Sequence, residues 1–584
     1  MKSSNGEATR RRPSRHAASR VATRTVTVVD ARRRSLLKLV GCAIAASALR
    51  PAAVFAIPHF DVVLRGGLLL DGTGLAAYPA DVGIIGDRIA AIGSISSEQG
   101  RRVFDVGGLH VCPGFIDIHS HSDGDILLHP RADNRVRQGI TTELTGNCGR
   151  SAAPLLAAGA GALRCSYRKL GIEATWTGVA SYYDVLDNSG LSINQAMLVG
   201  QGTIRANAIG YVDRGLSPTE KAAVVRAVEE AMDQGAFGLS TGLEYTPGCY
   251  TSTDEIIAMA RVVGRHGGLY ASHIRNEGPK LLEAIDEAIA IGRASGARVQ
   301  ISHLKASGRP NWDKQEAALR LIASARRDGV PVLADAYPYT AYSTTLTILL
   351  PPPALEGGTA RMLKRLGDAA WRKWIRAEVE ERMARELGDY ALIVIARVNT
   401  SANQPWVGWN VKDVAGAWGV EPADAILRLI EEERGSVSII GHGMSPENVE
   451  TVLRNPFVML GSDASAMCGT SRRAGAPHPR SYGAFARLLA VYVGERRALD
   501  LAEAVRKMTS MPAEQIGLTD RGRISPNQKA DLVVFDAARV KDMATYQQPR
   551  QYAAGIPHVL VNGVAVVENG RHTGARPGRA LRRT

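Results

Sequence analysis

Runs of alternating apolar and polar residues occur near both ends of the chain, and they predict short β-strands there. Phe60 to Gly67 alternates in this way before the turn signal at Asp71 to Gly74, and Ala530 to Asp536 and His558 to Gly563 have the same character. Successive side chains point to opposite faces of a strand, so a period of two indicates strands with one buried face. We predict that residues 57–112 and 511–584 together form a small β-sandwich domain.

Between these ends, in residues 113–510, apolar strand-like runs alternate with helical stretches. This alternation favours parallel βα units and therefore an α/β fold. Eight such units would close a (β/α)8 barrel of the TIM type. The candidate strands end near His119, Gly146, Gly200, Thr241, His273, His303, Asp335 and Asp463.

Two parts of this central region do not fit a count of eight. A ninth apolar run, from Val437 to His442, resembles a strand but has no place among the eight. Residues from about 355 to 435 make a long gap rich in Arg and Glu before the last strand. We interpret the gap as an inserted helical segment.

The net charge of +14 is concentrated at the start of the chain. Residues 1–56 hold twelve Lys and Arg against two Asp and Glu, whereas the remainder holds 59 against 55. A surplus of four charges over more than 500 residues is ordinary for a soluble surface. The charge therefore gives no reason to expect nucleic acid as a partner.

The basic leader itself is typical of a targeting segment. Arg33-Arg34 precedes a mildly apolar run that ends at Ala56, which predicts a twin-arginine export signal, the twin-arginine export machinery as a partner, and a periplasmic or secreted protein. A lipoprotein cleavage site at Cys42 and a disordered basic tail are the alternatives. No later run of about 18 uninterrupted apolar residues predicts a membrane span.

Histidines follow three of the candidate strands and suggest a metal site. His119 and His121 alternate along one strand and so point to the same side, while His273 and His303 each end an apolar run in a Ser-His pair. The carboxyl ends of barrel strands meet at one face, so these four imidazoles would converge there. Two surface histidines on an edge strand would explain His119 and His121 alone, but not all four.

Cys148 and Asp463 follow two further candidate strands. Outside the leader there are five cysteines, an odd and scattered set that does not suggest a disulfide framework. A thiolate together with imidazoles favours zinc, and a carboxylate beside the metal can move protons. A buried apolar role for Cys148 and a helix N-cap for Asp463 are the structural alternatives.

The motifs around these residues resemble one family. The split β-domain, the His-x-His strand, the later histidines and the final aspartate are similar to the metal-dependent amidohydrolase superfamily. Within it, residues 60–565 resemble the D-aminoacylase (N-acyl-D-amino-acid deacylase) family. The motifs that carry this resemblance are Gly139 to Thr142, Gly146 to Gly149, Ser272 to Arg275, Ile301 to Lys305, Asp335 to Tyr339, His478 to Gly483 and Ala504 to Ser510.

The resemblance implies a role for each matching residue. It places one tightly bound zinc on Cys148, His273 and His303, and a second, weaker site on His119 and His121. It makes Asp463 the catalytic group that accepts a proton from a zinc-activated water and passes it to the departing amine. It assigns substrate binding to Lys305, Arg480, Tyr245, Tyr337 and Ser343.

The expected activity is zinc-dependent hydrolysis of N-acyl-D-amino acids to a carboxylate and a free D-amino acid. An amidohydrolase acting on a cyclic amide and a non-catalytic exported binding protein are the alternatives. A carboxylated lysine that bridges two metal ions would favour the cyclic-amide enzyme. Loss of Asp463 or of two of the histidines would favour the binding protein. The remaining histidines that we considered are more typical of surface or loop positions: His110, His129, His266, His442, His478 and His558.

Overall fold

The computed structural model describes residues 59–156, 160–469 and 475–583. The predicted export leader, with Arg33, Arg34 and Cys42, lies outside the described residues. Over the part of the chain that is described, no helix is both long and apolar enough to cross a membrane. All five cysteines in these ranges are free thiols, as an odd and scattered set would suggest.

The described residues form a mixed α/β structure. In chain order its strands are β1 (Phe60–Leu69), β2 (Tyr78–Ile85), β3 (Arg88–Gly93), β4 (Gly100–Asp105), β5 (His110–Pro113), β6 (Phe115–Asp117), β7 (Ile140–Thr145), β8 (Asn194–Met197), β9 (Val199–Gly200), β10 (Gly238–Gly242), β11 (Leu269–His273), β12 (Arg298–Ile301), β13 (Val332–Ala336), β14 (Tyr342–Thr345), β15 (Ile393–Arg397), β16 (Ser438–Gly441), β17 (Val458–Leu460), β18 (Leu532–Phe535), β19 (His558–Val561), β20 (Val564–Glu568) and β21 (Arg571–His572).

The α-helices connect and cover these strands. They are α1 (Asp125–Leu128), α2 (Asp133–Val136), α3 (Gly161–Lys169), α4 (Val179–Ser189), α5 (Gln201–Ile209), α6 (Pro218–Asp233), α7 (Thr253–Arg265), α8 (Leu281–Ser295), α9 (Gln315–Arg327), α10 (Pro352–Leu355), α11 (Thr359–Leu366), α12 (Ala369–Glu386), α13 (Val411–Trp418), α14 (Pro422–Glu432), α15 (Pro446–Arg454), α16 (Arg480–Arg487), α17 (Leu501–Met508) and α18 (Ser510–Ile516). A π-helical turn, Leu488–Glu495, continues α16.

The two ends of the described chain share one sheet of nine strands. Its order is β21-β20-β19-β18-β5-β1-β2-β3, with β4 beside β1. The joint between the two ends is the antiparallel pair of β18 and β5, where Leu532 lies opposite Pro113. Apolar residues from both ends pack in one core, including Leu64 and Leu532, so neither set of strands buries its apolar side alone. Whether this sheet folds over as a sandwich stays a prediction.

Parallel strands fill the centre of the chain in two groups. One sheet has the order β6-β7-β8, and the other has the order β17-β13-β12-β11-β10-β9. All six residues of β7 are buried, which is typical of parallel strands covered on both sides. Each predicted strand end coincides with one of these strands or lies within three residues of it. Closure of the two sheets into a barrel stays a prediction at this point.

A separate unit is inserted between β13 and β17, which we call the inserted unit and which comprises residues 342–441. It contains α10 to α14, as the Arg- and Glu-rich composition suggested, but also the antiparallel sheet β14-β16-β15. Its own apolar core includes Leu346, Ile375 and Ile426. The ninth apolar run is β16 of this sheet, which explains why it has no place among the parallel strands.

Candidate active site

The His-x-His segment lies just after β6 and turns both imidazoles towards one cluster. His119 is fully buried, and its Nε2 lies 3.4 Å from the Sγ of Cys148. The Nε2 of His121 lies 3.0 Å from Oδ1 of Asp463. Residues after β6, β7 and β17 therefore meet, as expected where the carboxyl ends of parallel strands gather.

Cys148 is held in place by a tight turn after β7. Its φ is +51°, a left-handed conformation that is costly for a residue with a side chain. The neighbouring Gly146 has room for no side chain, because a Cβ there would lie 1.9 Å from the carbonyl oxygen of Leu198. His303 and Asp463 also have positive φ values, of +35° and +51°. Such strained backbone concentrates at functional sites, where packing holds side chains in set directions.

His273 and His303 complete the cluster from β11 and the end of β12. The Nδ1 of His273 lies 2.9 Å from Nε2 of His303, and the same Nε2 lies 3.5 Å from the Sγ of Cys148. The structure thus brings together the five residues predicted to bind metal.

Carboxylates stand behind two of these imidazoles. Nδ1 of His303 lies 2.8 Å from Oε1 of Glu277, and Nδ1 of His119 lies 3.2 Å from Oδ1 of Asp335. A carboxylate on the outer nitrogen fixes the ring orientation and leaves the other nitrogen free to bind metal, which is the usual arrangement around metal-binding histidines.

The electrostatics of the cluster favour an ionised thiol. Burial opposes ionisation of Cys148, but the nearby His119 and His303 outweigh it and hold the pKa of the thiol well below its usual value. Burial likewise opposes ionisation of Asp463, and Arg480 and His121 outweigh it, so the pKa of this carboxyl is also far below normal. The cluster therefore presents a thiolate, a carboxylate and several imidazoles to one point.

These donors suit zinc. Within the described residues, three sets of ligand atoms at the cluster lie within 4.8 Å of one another: His119–Cys148–His303, His119–His121–Asp463 and His273–Glu277–His303. The first set differs from the predicted tight set only in having His119 where the prediction has His273. One sulfur and two imidazole nitrogens form a ligand set typical of zinc.

A cleft opens beside the cluster, with cationic groups on its wall and behind it. Lys305 lies on its wall, with Nζ 2.5 Å from Oε1 of Glu277. Arg480 is buried, with one guanidinium nitrogen 2.9 Å from Oδ2 of Asp463 and the guanidinium 4.6 Å from the ring centre of Tyr337. A cation within reach of the proposed reaction centre can hold a substrate carboxylate.

The other predicted substrate-binding residues line the same cleft. Tyr245 places its ring 4.7 Å from the His273 ring, and its hydroxyl lies 3.0 Å from Oγ1 of Thr344. Tyr337 has a buried hydroxyl with no hydrogen-bond partner among the described residues. Ser343 is on the cleft wall, and its carbonyl oxygen accepts a hydrogen bond of 3.4 Å from Arg480.

Sequence reasoning missed several residues of this region. Asp335 ends a strand, as His119 nearly does, so its strand-end position could have marked it as a partner of the cluster. Glu277 lies in a loop four residues after His273, where nothing in the apolar pattern distinguishes it. Glu244, whose Oε2 is 3.6 Å from Nε2 of His273, lies in a loop of the same kind.

His478 lies in a loop, as expected, but it is buried and not at the surface. It is 2 % exposed, and its Nδ1 accepts a hydrogen bond of 3.0 Å from the backbone N–H of Arg480. The proton must then be on Nε2, which donates to the carbonyl of Ala341 at 2.9 Å. His478 therefore ties the segment that carries Arg480 to the start of the inserted unit. His442 packs against Tyr546, which also contacts His478.

Comparison with known families agrees with this geometry. Residues 102–567 match the profile of the amidohydrolase family. The chain belongs to the amidohydrolase family. This match confirms the predicted family and the prediction of an amidohydrolase enzyme.

Three curated relatives of this amidohydrolase come from Alcaligenes xylosoxydans xylosoxydans. An N-acyl-D-glutamate deacylase is 38% identical over 524 residues, covering 90% of this chain and 96% of the relative. A D-aminoacylase is 37% identical, covering 90% of this chain and 98% of the relative. An N-acyl-D-aspartate deacylase is 33% identical, covering 89% of this chain and 95% of the relative.

Solved structures show the same relationship. An N-acyl-D-glutamate deacylase from Bordetella bronchiseptica, complexed with zinc and a phosphonate inhibitor, is 33% identical and superposes with a TM-score of 0.76 over 90% of this chain and all of that one. A D-aminoacylase studied for its binuclear metal centre is 34% identical, with a TM-score of 0.75 and the same coverage. An L-hydantoinase from Arthrobacter aurescens, at 16% identity and a TM-score of 0.54, shares the fold alone.

Proposed function

We propose that this amidohydrolase uses zinc to hydrolyse N-acyl-D-amino acids. The observation that carries the proposal is the position of Asp463, which has one carboxylate oxygen at the histidine cluster and the other at Arg480. A group that moves protons therefore lies between a candidate metal site and a cation suited to a carboxylate. Relatives from this family are named for the deacylation of N-acyl-D-amino acids.

Zinc, when bound by Cys148 and the imidazoles, would supply a Lewis acid that polarises the amide carbonyl and acidifies a water. Asp463 accepts one proton from the attacking water. It then donates that proton to the amide nitrogen as the C–N bond breaks, which releases a free amine and a carboxylic acid that loses its remaining proton to water. The chain's own residues need to form no covalent bond with the substrate.

The substrate carboxylate would bind the cations of the cleft. Arg480 is buried against Tyr337, so its guanidinium presents its donors in a fixed plane. Lys305 adds a second positive charge, 5.9 Å from the centre of the same ring. When the carboxylate and the scissile carbonyl are both held, only one direction remains for the side chain, and this would select the D enantiomer.

The matched enantiomers of one substrate test this proposal. Purified protein should release free methionine from N-acetyl-D-methionine and much less from N-acetyl-L-methionine. Hydrolysis of a hydantoin with no action on either amide would favour the cyclic-amide alternative, and no hydrolysis of any of them would favour the binding protein.

We also propose an architecture for the two domains. The two parallel sheets form one (β/α)8 barrel, and the nine-stranded sheet folds as a sandwich. Backbone hydrogen bonds support the barrel: His121 N–H donates to Ala464 at 2.9 Å, and Asp463 N–H donates to His119 at 2.8 Å, which joins the ends of β6 and β17. The strands β8 and β9 are consecutive and are interrupted only at Leu198. A crystal structure with an open gap between β6 and β17 would contradict the barrel.

We also propose that the protein is exported by the twin-arginine machinery and loses about its first 56 residues. The paired Arg33-Arg34 before an apolar run supports this proposal. Mass spectrometry of the protein from the periplasm should find a new N-terminus near Ile57. An intact leader on a cytoplasmic protein would contradict export, and a lipid on Cys42 would favour the lipoprotein route.

A further inference from the structure

The cleft is bounded on one side by the inserted unit, and this wall carries charges that the reaction does not use. Arg382 and Glu386 of α12 lie on it together with the apolar side chains of Ile348 and Leu349. A substrate held by its carboxylate and its scissile bond near Asp463 would extend another part of its structure towards this wall. The charge of the wall therefore bears on which substrates fit.

Arg382 donates hydrogen bonds to two partners within the protein. Its Nε donates to Oε2 of Glu386 at 3.0 Å, and its Nη1 donates to the carbonyl oxygen of Ile348. The Arg382 side chain is 20% exposed and that of Glu386 is 26% exposed, so water screens the pair only in part. Because its positive charge is paired with Glu386, a second carboxylate at this point would meet an ion pair of no net charge.

Negative charge exceeds positive charge on this wall. Glu244 faces the same cleft, is 14% exposed, and has no lysine or arginine partner within 4.0 Å among the described residues. Its Oε1 accepts a hydrogen bond of 3.1 Å from the backbone N–H of Glu277, which holds the carboxylate in place. Two glutamates therefore stand against the single cation Arg382.

Over the whole described lining of the cleft, acidic residues again outnumber basic ones. The charged residues there, apart from histidines, are Glu244, Glu277, Glu386 and Asp463 against Lys305 and Arg382. Lys305 is paired with Glu277, and Arg480, which lies behind the lining, is paired with Asp463. Only Lys305 and Arg480 stand near the reaction centre, where the α-carboxylate common to all N-acyl amino acids would bind.

We propose that the wall formed by Glu386, Arg382 and Glu244 excludes a second carboxylate, so that the enzyme acts on N-acyl-D-amino acids with uncharged side chains and discriminates against N-acyl-D-glutamate and N-acyl-D-aspartate. This inference rests on the proposed function. It would separate the chain from two of the relatives described above, which are named for acidic substrates. Like charges placed close together in a partly buried site disfavour binding, and this is a common source of specificity.

N-acetyl-D-glutamine and N-acetyl-D-glutamate form a suitable test pair, because they are nearly isosteric and differ in one charge. Burial raises the pKa of Glu386 while Arg382 opposes that rise, so the assay is run at about pH 8, well above the ordinary range of a carboxyl. The purified full chain should show a kcat/KM at least about tenfold higher for the glutamine derivative. A similar difference should separate N-acetyl-D-asparagine from N-acetyl-D-aspartate.

Variants identify the wall as the cause. Glu386→Gln should lower the ratio of kcat/KM for N-acetyl-D-glutamine to kcat/KM for N-acetyl-D-glutamate. The change should come mainly from a higher kcat/KM for the glutamate derivative. Glu381→Gln is the matched control, because Glu381 lies on the same helix but is 60% exposed and pairs with Arg385 away from the cleft. That variant should leave the ratio unchanged.

Two results would overturn the inference: a wild-type enzyme that prefers the glutamate derivative, or a ratio that Glu386→Gln does not change. Loss of all N-acetyl-D-amino acid hydrolysis in the wild type, including that of N-acetyl-D-methionine, would instead contradict the proposed function. The ratio of kcat/KM for the glutamine and glutamate derivatives in the wild type tests the inference even if a variant fails to fold.

Discussion

Arg480 and Asp463 form a largely buried ion pair, with a guanidinium nitrogen 2.9 Å from Oδ2 of the carboxylate. The other oxygen of Asp463 lies 3.0 Å from His121, so one side chain links the histidine cluster to the cation of the cleft. Asp463 therefore contacts both the cluster where the amide bond would break and Arg480, which would bind the substrate carboxylate. Substitutions on either side of it should have separable effects.

Replacing Asp463 by Asn should abolish most turnover while the fold is kept. The amide has nearly the same shape but cannot accept and return a proton at neutral pH, and such proton transfer is worth about 10²- to 10⁴-fold in rate. We expect the loss in kcat rather than in KM. Steady-state kinetics and circular dichroism measure the two effects, and a variant with near-wild-type turnover would show that another group moves the proton.

Replacing Cys148 by Ala should remove most of the bound zinc. The thiolate lies between His119 and His303, and among the described residues no other cysteine belongs to this cluster. Metal analysis of the purified variant measures the loss. The control is Cys165→Ala, which removes an exposed thiol on α3 and should retain zinc. Full zinc content in Cys148→Ala would take this residue out of the metal site.

Arg480→Lys should reduce kcat/KM by about tenfold or more and should weaken the preference for the D enantiomer. Lysine keeps the charge but loses the planar pair of donors that would hold a carboxylate in one orientation. Kinetics with both enantiomers of N-acetylmethionine measure the effect. If the variant keeps its selectivity and its rate, the anchor is elsewhere, and Lys305 with Tyr245 would be examined next.

His478 should make the folded protein less stable as the pH falls below about 6.5. Burial and the Arg480 guanidinium hold the pKa of His478 well below its ordinary value, so the folded state keeps this imidazole neutral. The unfolded chain takes up a proton near pH 6.5, so below that pH stability falls by up to about 1.4 kcal/mol per pH unit until the folded pKa is reached.

Urea unfolding at about pH 7 and pH 5.5 measures this dependence. The free energy of unfolding should decrease less between the two pH values in His478→Gln than in the wild type. His59→Gln, at an exposed position, provides the control. An equal decrease in the wild type and in His478→Gln would show that His478 does not contribute to the acid sensitivity.

The strand ends could be predicted from the sequence because most of them join an apolar run to a polar residue. That pattern located His119, His273, His303 and Asp463 before any contact between them was known. The place of Val437 to His442 could not be predicted, because an apolar run does not reveal that its partners are β14 and β15. Periodicity shows that a strand exists but not which strand it pairs with.

The supporting residues were harder to predict than the cluster itself. Glu277 and Glu244 lie in loops, where no periodic pattern marks them, and they matter only through distances to residues far away in the sequence. His478 does lie in a loop, one of the two positions expected for it, but its contacts with Ala341 and Tyr546 bury it there. Roles of this kind depend on long-range packing and need coordinates.

The most direct test of the account is the rate of D-methionine release from N-acetyl-D-methionine as zinc is restored to chelated protein. The chelated protein should be nearly inactive, and activity should rise with added zinc up to about one equivalent per chain, with little hydrolysis of the L enantiomer. Full activity without metal, or equal hydrolysis of both enantiomers, would contradict zinc-dependent hydrolysis of N-acyl-D-amino acids.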